Sequence, residues 1–375
     1  MIKSYIWPLG NRISHVLMIL LFAAAYLSGD EDELLGSHAV FGITLGILII
    51  FRILWGVVGP QYSKFSDFDF SIKNLISYLL SVFTKTKAHI GHNPASSWAI
   101  IAMFIFGLLS IVSGLLAYGV GENHGVFAFL HLTYYRDTEV FEELHELFVN
   151  TFLAIIIAHV AGSLIEKFVR GGDSIKSMVT GYKDTETSVD TKTSLFGKIF
   201  QIIWILVAIG SFVYLLGIKD NVFIKSENKA VDYEAMNVDF VNECASCHIA
   251  YPPYLLPKKS WSVMMNNLTN HFGDDASLDE KTRLSISTFL QKEASENSTS
   301  EVALKIQKSL KNQNQTIIAI TKTPFWKAKH KDIDSKVFLS NKIKSKANCQ
   351  ACHIDIEKGL LDGELIDTKN IKAAL

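Results

Sequence analysis

The chain has 375 residues, of which 49% are hydrophobic and only 19% are charged, and its mean hydropathy is +0.23. Soluble domains do not usually combine these values, so part of the chain is expected to lie in a membrane. The 36 Lys and Arg residues almost balance the 37 Asp and Glu residues, which argues against a nucleic-acid partner.

The distribution of apolar residues divides the chain into a membrane half, 1–218, and a water-soluble half, 219–375, that is rich in Lys, Asn and Ser. A membrane crossing takes about 20 residues, and five runs are long enough. They are 11–28, 38–58, 97–119, 144–166 and 198–217. The predicted fold is therefore all-α, with a five-helix transmembrane bundle and a C-terminal, mostly helical, soluble domain. The first run shares a basic start and a cluster of alanines with signal peptides, but His15 inside it is atypical of one.

The basic residues predict the orientation of the bundle. Most lie before the first helix or around the loops that join helices 2 to 3 and 4 to 5, and they include Arg52, Lys64 and Arg170. The two opposite loops are acidic. The positive-inside rule then places the N-terminus in the cytoplasm of a bacterial inner membrane and the tail in the periplasm. Residues 70–83 are too short to span and predict an amphipathic helix along the inner interface.

The soluble half contains two Cys-x-x-Cys-His motifs, which together include every cysteine of the chain. They comprise Cys244, Cys247 and His248, and Cys349, Cys352 and His353. Two thiols at this spacing can form thioethers with the two vinyl groups of one haem, and the following His can bind its iron. The alternatives are a zinc site that uses a more distant His and a dithiol redox pair. The repeated Cys-His ending favours two haems of type c.

Each of these haems needs a distal ligand, and two further histidines are available in the soluble half. His271 ends a helical stripe that begins at Trp261, and this spacing predicts an imidazole on the apolar face. Met264 and Met265 compete as thioether ligands, and a solvated or core histidine is the other alternative. His330 is the candidate for the second haem.

Four histidines of the membrane half match in depth. His145 and His159 lie 14 residues apart on the fourth predicted helix, which places them within about 40° of one face and about 21 Å apart along the axis. His38 lies level with His145 at the outer surface, and His15 lies near the depth of His159. Intramembrane histidines are costly unless they are functional. We therefore predict an outer haem b at His38 and His145 and an inner haem b at His15 and His159, with satisfied core histidines as the alternative.

Four further histidines lie in predicted loops, where side chains are more often solvated than ligands. They are His89, His92, His124 and His131. Solvation is the expectation for all four, although His92, together with Arg12, is also a candidate for a quinone pocket beside the inner haem.

The membrane half resembles the prokaryotic cytochrome b561 family, which includes b-type cytochrome subunits of nickel-iron hydrogenases. The tail resembles the dihaem cytochrome c family, although that family usually has arginine where this chain has Lys327 and Lys329. The matching residues are 12–15, 91–94, 144–146, 159–162 and 178–181 in the first half, and 243–248, 251–253, 256–257, 260–261, 271–278 and 348–353 in the second. The first resemblance implies a helical bundle that holds two b haems through the histidines named above.

The expected function is an electron relay with quinol:cytochrome oxidoreductase activity. Ubiquinol or menaquinol in the lipid would donate electrons to the b haems, which pass them to the c haems and a small extracytoplasmic redox protein. Residues 305–346 contain 11 lysines and two acidic residues, and they either steer an acidic partner or form a solvated surface. A homodimer is the assembly considered. The alternatives are a superoxide or ferric-type oxidoreductase at the outer haem beside Arg136, and a membrane anchor of a hydrogenase-like complex.

Overall fold

The computed structural model describes residues 2–81, 89–132, 139–218, 220–361, 363, 366, 367 and 369. The chain divides into two compact units. The first comprises Met1–Leu130 and Thr138–Ser226, and the second comprises His131–Asp137 and Glu227–Leu375.

The described part of the first unit contains seven α-helices. They are α1 (Leu9–Ser28), α2 (Leu35–Val58), α3 (Ile72–Leu80), α4 (Pro94–Val120), α5 (Val140–Phe168), α6 (Ser174–Thr180) and α7 (Leu195–Gly217). The five longest, α1, α2, α4, α5 and α7, are long and apolar enough to cross a membrane, so the predicted five-helix bundle is confirmed. Each begins two to four residues before the predicted run, because the first helical turn needs no apolar residue.

Side-chain caps fix where two of these helices begin. The Oδ1 of Asn93 accepts a hydrogen bond from the amide of Ser96 at 2.7 Å, and Pro94 occupies the first turn of α4. The Oγ of Ser194 accepts from the amide of Gly197 at 3.1 Å at the start of α7. Both arrangements satisfy amide groups that have no partner inside the helix.

The bundle packs α4 against α5 and α1 against α2, and α2 also contacts α4 and α7. Its core contains Leu45, Ile49, Phe104 and Phe152. Apolar side chains on the outer faces remain exposed, as at Leu27, because a membrane helix needs no polar outer face. Two of its helices, α1 and α5, carry the intramembrane histidines of one predicted site, and α2 and α5 carry those of the other.

The predicted amphipathic helix is present as α3, which presents Ile72, Ile76 and Leu80 as exposed side chains. Residues 82 and 83 of that prediction lie outside the described residues, and the placement of α3 at an interface stays a prediction. The sequence did not predict a two-stranded antiparallel ribbon between β1 (Ile2–Tyr5) and β2 (Tyr182–Thr185), in which Ile2 lies opposite Thr185.

The second unit is mostly helical, as predicted. Its helices are α8 (Tyr233–Met236), α9 (Val238–Cys244), α10 (Lys258–Met265), α11 (Glu280–Lys292), α12 (Glu301–Leu310), α13 (Pro324–Lys329) and α14 (Ser335–Phe338). Leu256 and Ile286 are fully buried in the largest core cluster, where the indole of Trp261 donates a hydrogen bond to the carbonyl of Pro253 at 2.7 Å. The short helices leave the two Cys-x-x-Cys-His segments at the edges of small cores.

Candidate haem centres

The structure brings His38 of α2 and His145 of α5 together. Their ring centroids lie 5.9 Å apart and their planes are perpendicular, at 89°. The Nδ1 of His38 lies 2.8 Å from the carbonyl of Ala25, and the Nδ1 of His145 lies 2.8 Å from the carbonyl of Ser110. A carbonyl oxygen only accepts, so each Nδ1 carries the proton. Both Nε2 atoms therefore keep the lone pair that a metal ion needs.

This spacing fits a metal ion bound between the two rings. A first-row metal ion bonds an imidazole nitrogen at about 2.0 Å, so two imidazoles on opposite sides of one ion have ring centroids about 6 Å apart. The observed 5.9 Å is compatible with an iron that both histidines would bind.

His15 of α1 and His159 of α5 are the two histidines of the second predicted membrane site, and both residues are half-buried. The 14 residues between His145 and His159 correspond to about 21 Å along α5, so the two pairs occupy different depths of the bundle.

In the tail, His248 and His271 lie with their ring centroids 6.1 Å apart and their planes inclined by 27°. The Nδ1 of His248 lies 2.6 Å from the carbonyl of Ile249, which again leaves Nε2 free for a metal ion. The predicted helical route to His271 is wrong, because α10 ends at Met265 and a 3-10 turn follows. Met265 is only 3% exposed within the core, so its thioether is committed to packing.

The second pair of the tail consists of His353 and His330, whose ring centroids lie 6.2 Å apart. The Nδ1 of His330 lies 2.8 Å from the carbonyl of Trp326, and the His330 ring stacks on that indole at 4.3 Å. Burial and the neighbouring His330 lower the pKa of His353 to about 4. The imidazole is therefore in the neutral form that binds metals at pH 7.

Cys247 is exposed, whereas Cys244, Cys349 and Cys352 are half-buried. Burial raises the pKa of Cys244 to about 12 and that of Cys349 to about 11. A dithiol redox centre relies on a lowered thiol pKa, so these shifts do not support the dithiol alternative. The described residues contain no cluster of three or more His, Cys, Asp or Glu side chains placed to hold a metal ion.

The expectation that all four loop histidines are solvated is correct for His89, which is exposed, and wrong for the others. His124 is 2% exposed and His131 is 6% exposed. The half-buried ring of His92 packs against Trp7, and its Nε2 is enclosed without a hydrogen-bond partner. Burial, followed by the charge of Arg52, lowers the pKa of His92 to about 3.

Arg12, the other candidate quinone residue, donates a hydrogen bond to the carbonyl of Val179 at 2.6 Å, while its Nε is buried without a partner. The structure thus places an unsatisfied polar atom on each of the two predicted quinone residues. Arg136, which the superoxide alternative requires, lies outside the described residues.

Sequence reasoning counted Arg52 among the cations of the inner surface, but the structure buries it within α2 at 8% exposure. It also missed a buried ion pair between Glu166 and Arg170, whose closest atoms lie 3.9 Å apart. An arginine inside an apolar run is itself a signal of function. The i, i+4 spacing of Glu166 and Arg170 is likewise visible in the sequence.

Comparison with known proteins yields a match in each half of the chain. The family model described as prokaryotic cytochrome b561 matches residues 6–181, and the model described as dihaem cytochrome c matches residues 240–361. The "Probable Ni/Fe-hydrogenase 1 B-type cytochrome subunit" of Escherichia coli K12 is 22% identical over 215 residues, which cover 48% of this chain and 91% of that protein.

Two solved structures are similar to the tail. The diheme cytochrome c from Rhodobacter sphaeroides is 36% identical, and the match covers 35% of this chain and 99% of that one with a TM-score of 0.30. A diheme cytochrome type c from Shewanella baltica OS155 is 31% identical, with coverages of 36% and 94% and a TM-score of 0.29.

Proposed function

Because this chain belongs to the prokaryotic cytochrome b561 family in its membrane half and to the dihaem cytochrome c family in its tail, we propose that it oxidises quinol and passes the electrons through four haems. Family membership makes it a multi-pass membrane electron-transfer protein with b-type and c-type haems. We propose in addition the number of haems, their ligands, the quinol and the redox partner.

Two b haems would be held by His38 with His145 and by His15 with His159. Two c haems would be attached through Cys244 with Cys247 and Cys349 with Cys352, and bound by His248 with His271 and His353 with His330. The observation that carries this assignment is the spacing of three histidine pairs, whose ring centroids lie 5.9, 6.1 and 6.2 Å apart. Bound haem supplies reversible one-electron chemistry at each site.

The protein fixes the orientation of the imidazole rings before haem binds. Carbonyl groups of Ala25, Ser110, Ile249 and Trp326 each accept the Nδ1 proton of one ligand histidine. This arrangement sets the tautomer and limits ring rotation, and it makes the ligand nitrogen more basic. The four bonds belong to three different pairs, so the same device serves both the membrane and the tail.

A quinol headgroup would bind at the end of the bundle that contains Arg12 and His92. His92 is neutral at pH 7 because of its lowered pKa, so its enclosed Nε2 can accept a hydrogen bond from a quinol hydroxyl. The buried Nε–H of Arg12 can donate to the second oxygen. Unpartnered buried polar atoms are rare in folded proteins and often mark a ligand.

We place the membrane domain at 1–218 and the dihaem domain at 219–375. The positive-inside rule supports a cytoplasmic N-terminus and a periplasmic tail in a bacterial inner membrane. A small soluble redox protein would accept the electrons there. Lipid surrounds the bundle, and the homodimer stays a prediction.

The two alternatives gain less support. The superoxide or ferric-type reaction depends on Arg136, which lies outside the described residues. A hydrogenase subunit is among the relatives of the membrane half, but the tail of this chain supplies its own pair of haem-attachment motifs, which give the electrons an exit.

The test is the binding of a hydroxyquinoline quinol analogue to the purified full-length protein, followed through the b-haem absorption bands. We expect a band shift that His92→Phe abolishes without loss of haem, because the substitution removes the Nε2 atom. The matched control is His89→Phe, an exposed histidine three residues earlier. The absence of any shift in the unmodified protein, or a shift that survives His92→Phe, would contradict the proposed pocket.

A further inference from the structure

Arg52 is a buried cation for which the described residues provide no acidic partner. Its side chain lies inside α2 at 8% exposure, and its only hydrogen bond among the described residues goes from Nη1 to the carbonyl of Ser63 at 3.3 Å. The guanidinium carbon lies 6.0 Å from the centroid of the Phe104 ring. A buried charge without a counter-charge is strongly unfavourable, so this site is incomplete as the protein alone forms it.

Arg170 is a second arginine of the same bundle with a buried side chain, and its charge is compensated by the protein itself. Arg170 pairs with the carboxylate of Glu166, with which its closest contact is 3.9 Å, and donates to the carbonyl of Ser81 at 2.7 Å. Its guanidinium also lies 4.1 Å from the centroid of the Tyr78 ring. Arg52 is also largely buried, but the described residues place no carboxylate beside it, so an anion from outside the polypeptide could bind there.

His15 on α1 is one of the two histidines proposed above for the inner haem. Arg52 lies on α2, which packs against α1. It lies six residues before the end of α2, and His15 lies six residues after the start of the antiparallel neighbour α1. At 1.5 Å per residue each is about 9 Å from its helix end, so the two residues share one depth.

We propose that Arg52 binds a propionate carboxylate of the haem held by His15 and His159, an inference that rests on the proposed haem assignment. Propionates are the anionic groups of haem, and a guanidinium recognises a carboxylate through two parallel N–H donors. One Arg52 N–H is used on Ser63, which leaves the others for the carboxylate. A lipid phosphate would need an exposed guanidinium, whereas protein side chains enclose this one.

The experiment is a redox titration of the b haems in purified full-length protein, with the variants Arg52→Gln and Arg52→Lys. Arg52→Gln leaves the propionate charge uncompensated and therefore favours the ferric iron. For Arg52→Gln we expect a lower midpoint potential, or loss of haem, at one b haem only. Arg52→Lys keeps the positive charge and should therefore keep most of the midpoint potential of the unmodified protein. The matched control is Lys176→Gln, which removes an exposed cation from α6 and should leave both potentials unchanged.

A second measurement, made on Arg52→Lys, keeps the proposal testable if Arg52→Gln loses both b haems. Haem labelled with ¹³C at the propionate carboxyl groups gives carboxylate bands in redox-difference infrared spectra, and Arg52→Lys should shift one of them. Unchanged potentials in Arg52→Gln, or unshifted bands in Arg52→Lys, would overturn the proposal. The titration uses chemical mediators, so a failure of the quinol assignment leaves it unaffected. Unmodified protein without two extractable haems would instead overturn the proposed function.

Discussion

Replacing Gly114 with Ala should weaken the haem held by His38 and His145 while leaving the other sites intact. A Cβ at Gly114 would lie 2.8 Å from Cε1 and 3.0 Å from Nδ1 of His145. The ring would have to retreat by about 0.6 Å to reach the ordinary contact distance of 3.4 Å. It cannot do so freely, because its Nδ1 is hydrogen-bonded to the carbonyl of Ser110 and the ring of His38 faces it.

The size of the effect follows from the cost of overpacking, which is about 1–3 kcal/mol. Applied to haem binding, this range corresponds to about 5- to 150-fold weaker affinity. The assay is the amount of extractable haem per chain, together with the b-haem spectrum, after equilibration at limiting haem concentration. We expect loss from one b site and full occupancy of both covalent sites.

The control is Gly210→Ala in α7, where an added Cβ meets no atom within 4 Å. Both substitutions raise helix propensity by about 1 kcal/mol, so the contact with His145 is what separates them. If Gly114→Ala retained two b haems of unchanged affinity and spectrum, His145 would not be the ligand whose position we describe, and the reasoning would fail.

Further predictions concern the other sites. His159→Leu should remove one extractable haem and leave the second b haem and both c haems, because only His15 would remain at that depth; optical spectra with both b haems at full occupancy would contradict this. Purified protein should retain two haems per chain after acid-acetone extraction, and Cys349→Ser should weaken attachment at one of them, as haem-stained gels would show; bound zinc in place of haem would exclude the assignment. Electron transfer to an acidic redox partner should slow as ionic strength rises if the lysines of 305–346 steer it, and a rate independent of salt would make them a solvated surface.

The sequence was sufficient to predict the five-helix bundle, because the bundle depends on local regularities, whereas the pairing of its histidines stays a prediction. Apolar runs of membrane length leave only a helix, and 14 residues on a helix set both the face and the depth of His145 and His159. The families matched by the two halves agree with the predicted fusion.

Other features depend on contacts that no local pattern encodes. The ribbon joins Ile2–Tyr5 to Tyr182–Thr185 across nearly half the chain. The stripe from Trp261 to His271 was extended too far, because the side chains of Asn266 and Asn267 favour a turn after Met265. His271 reaches His248 through that turn rather than along a helix. Arg52 was predicted to be a surface cation, because only the folded structure shows that its side chain is buried.

The central claim is that electrons enter at the b haems and leave through the c haems. The most direct measurement is stopped-flow mixing of the oxidised protein with excess quinol, following the b- and c-haem bands separately in the unmodified protein and in His159→Leu. We predict that b-haem reduction precedes c-haem reduction in the unmodified protein, and that quinol no longer reduces the c haems of His159→Leu although dithionite still does. Reduction of the c haems by quinol at the same rate in both proteins would contradict the relay.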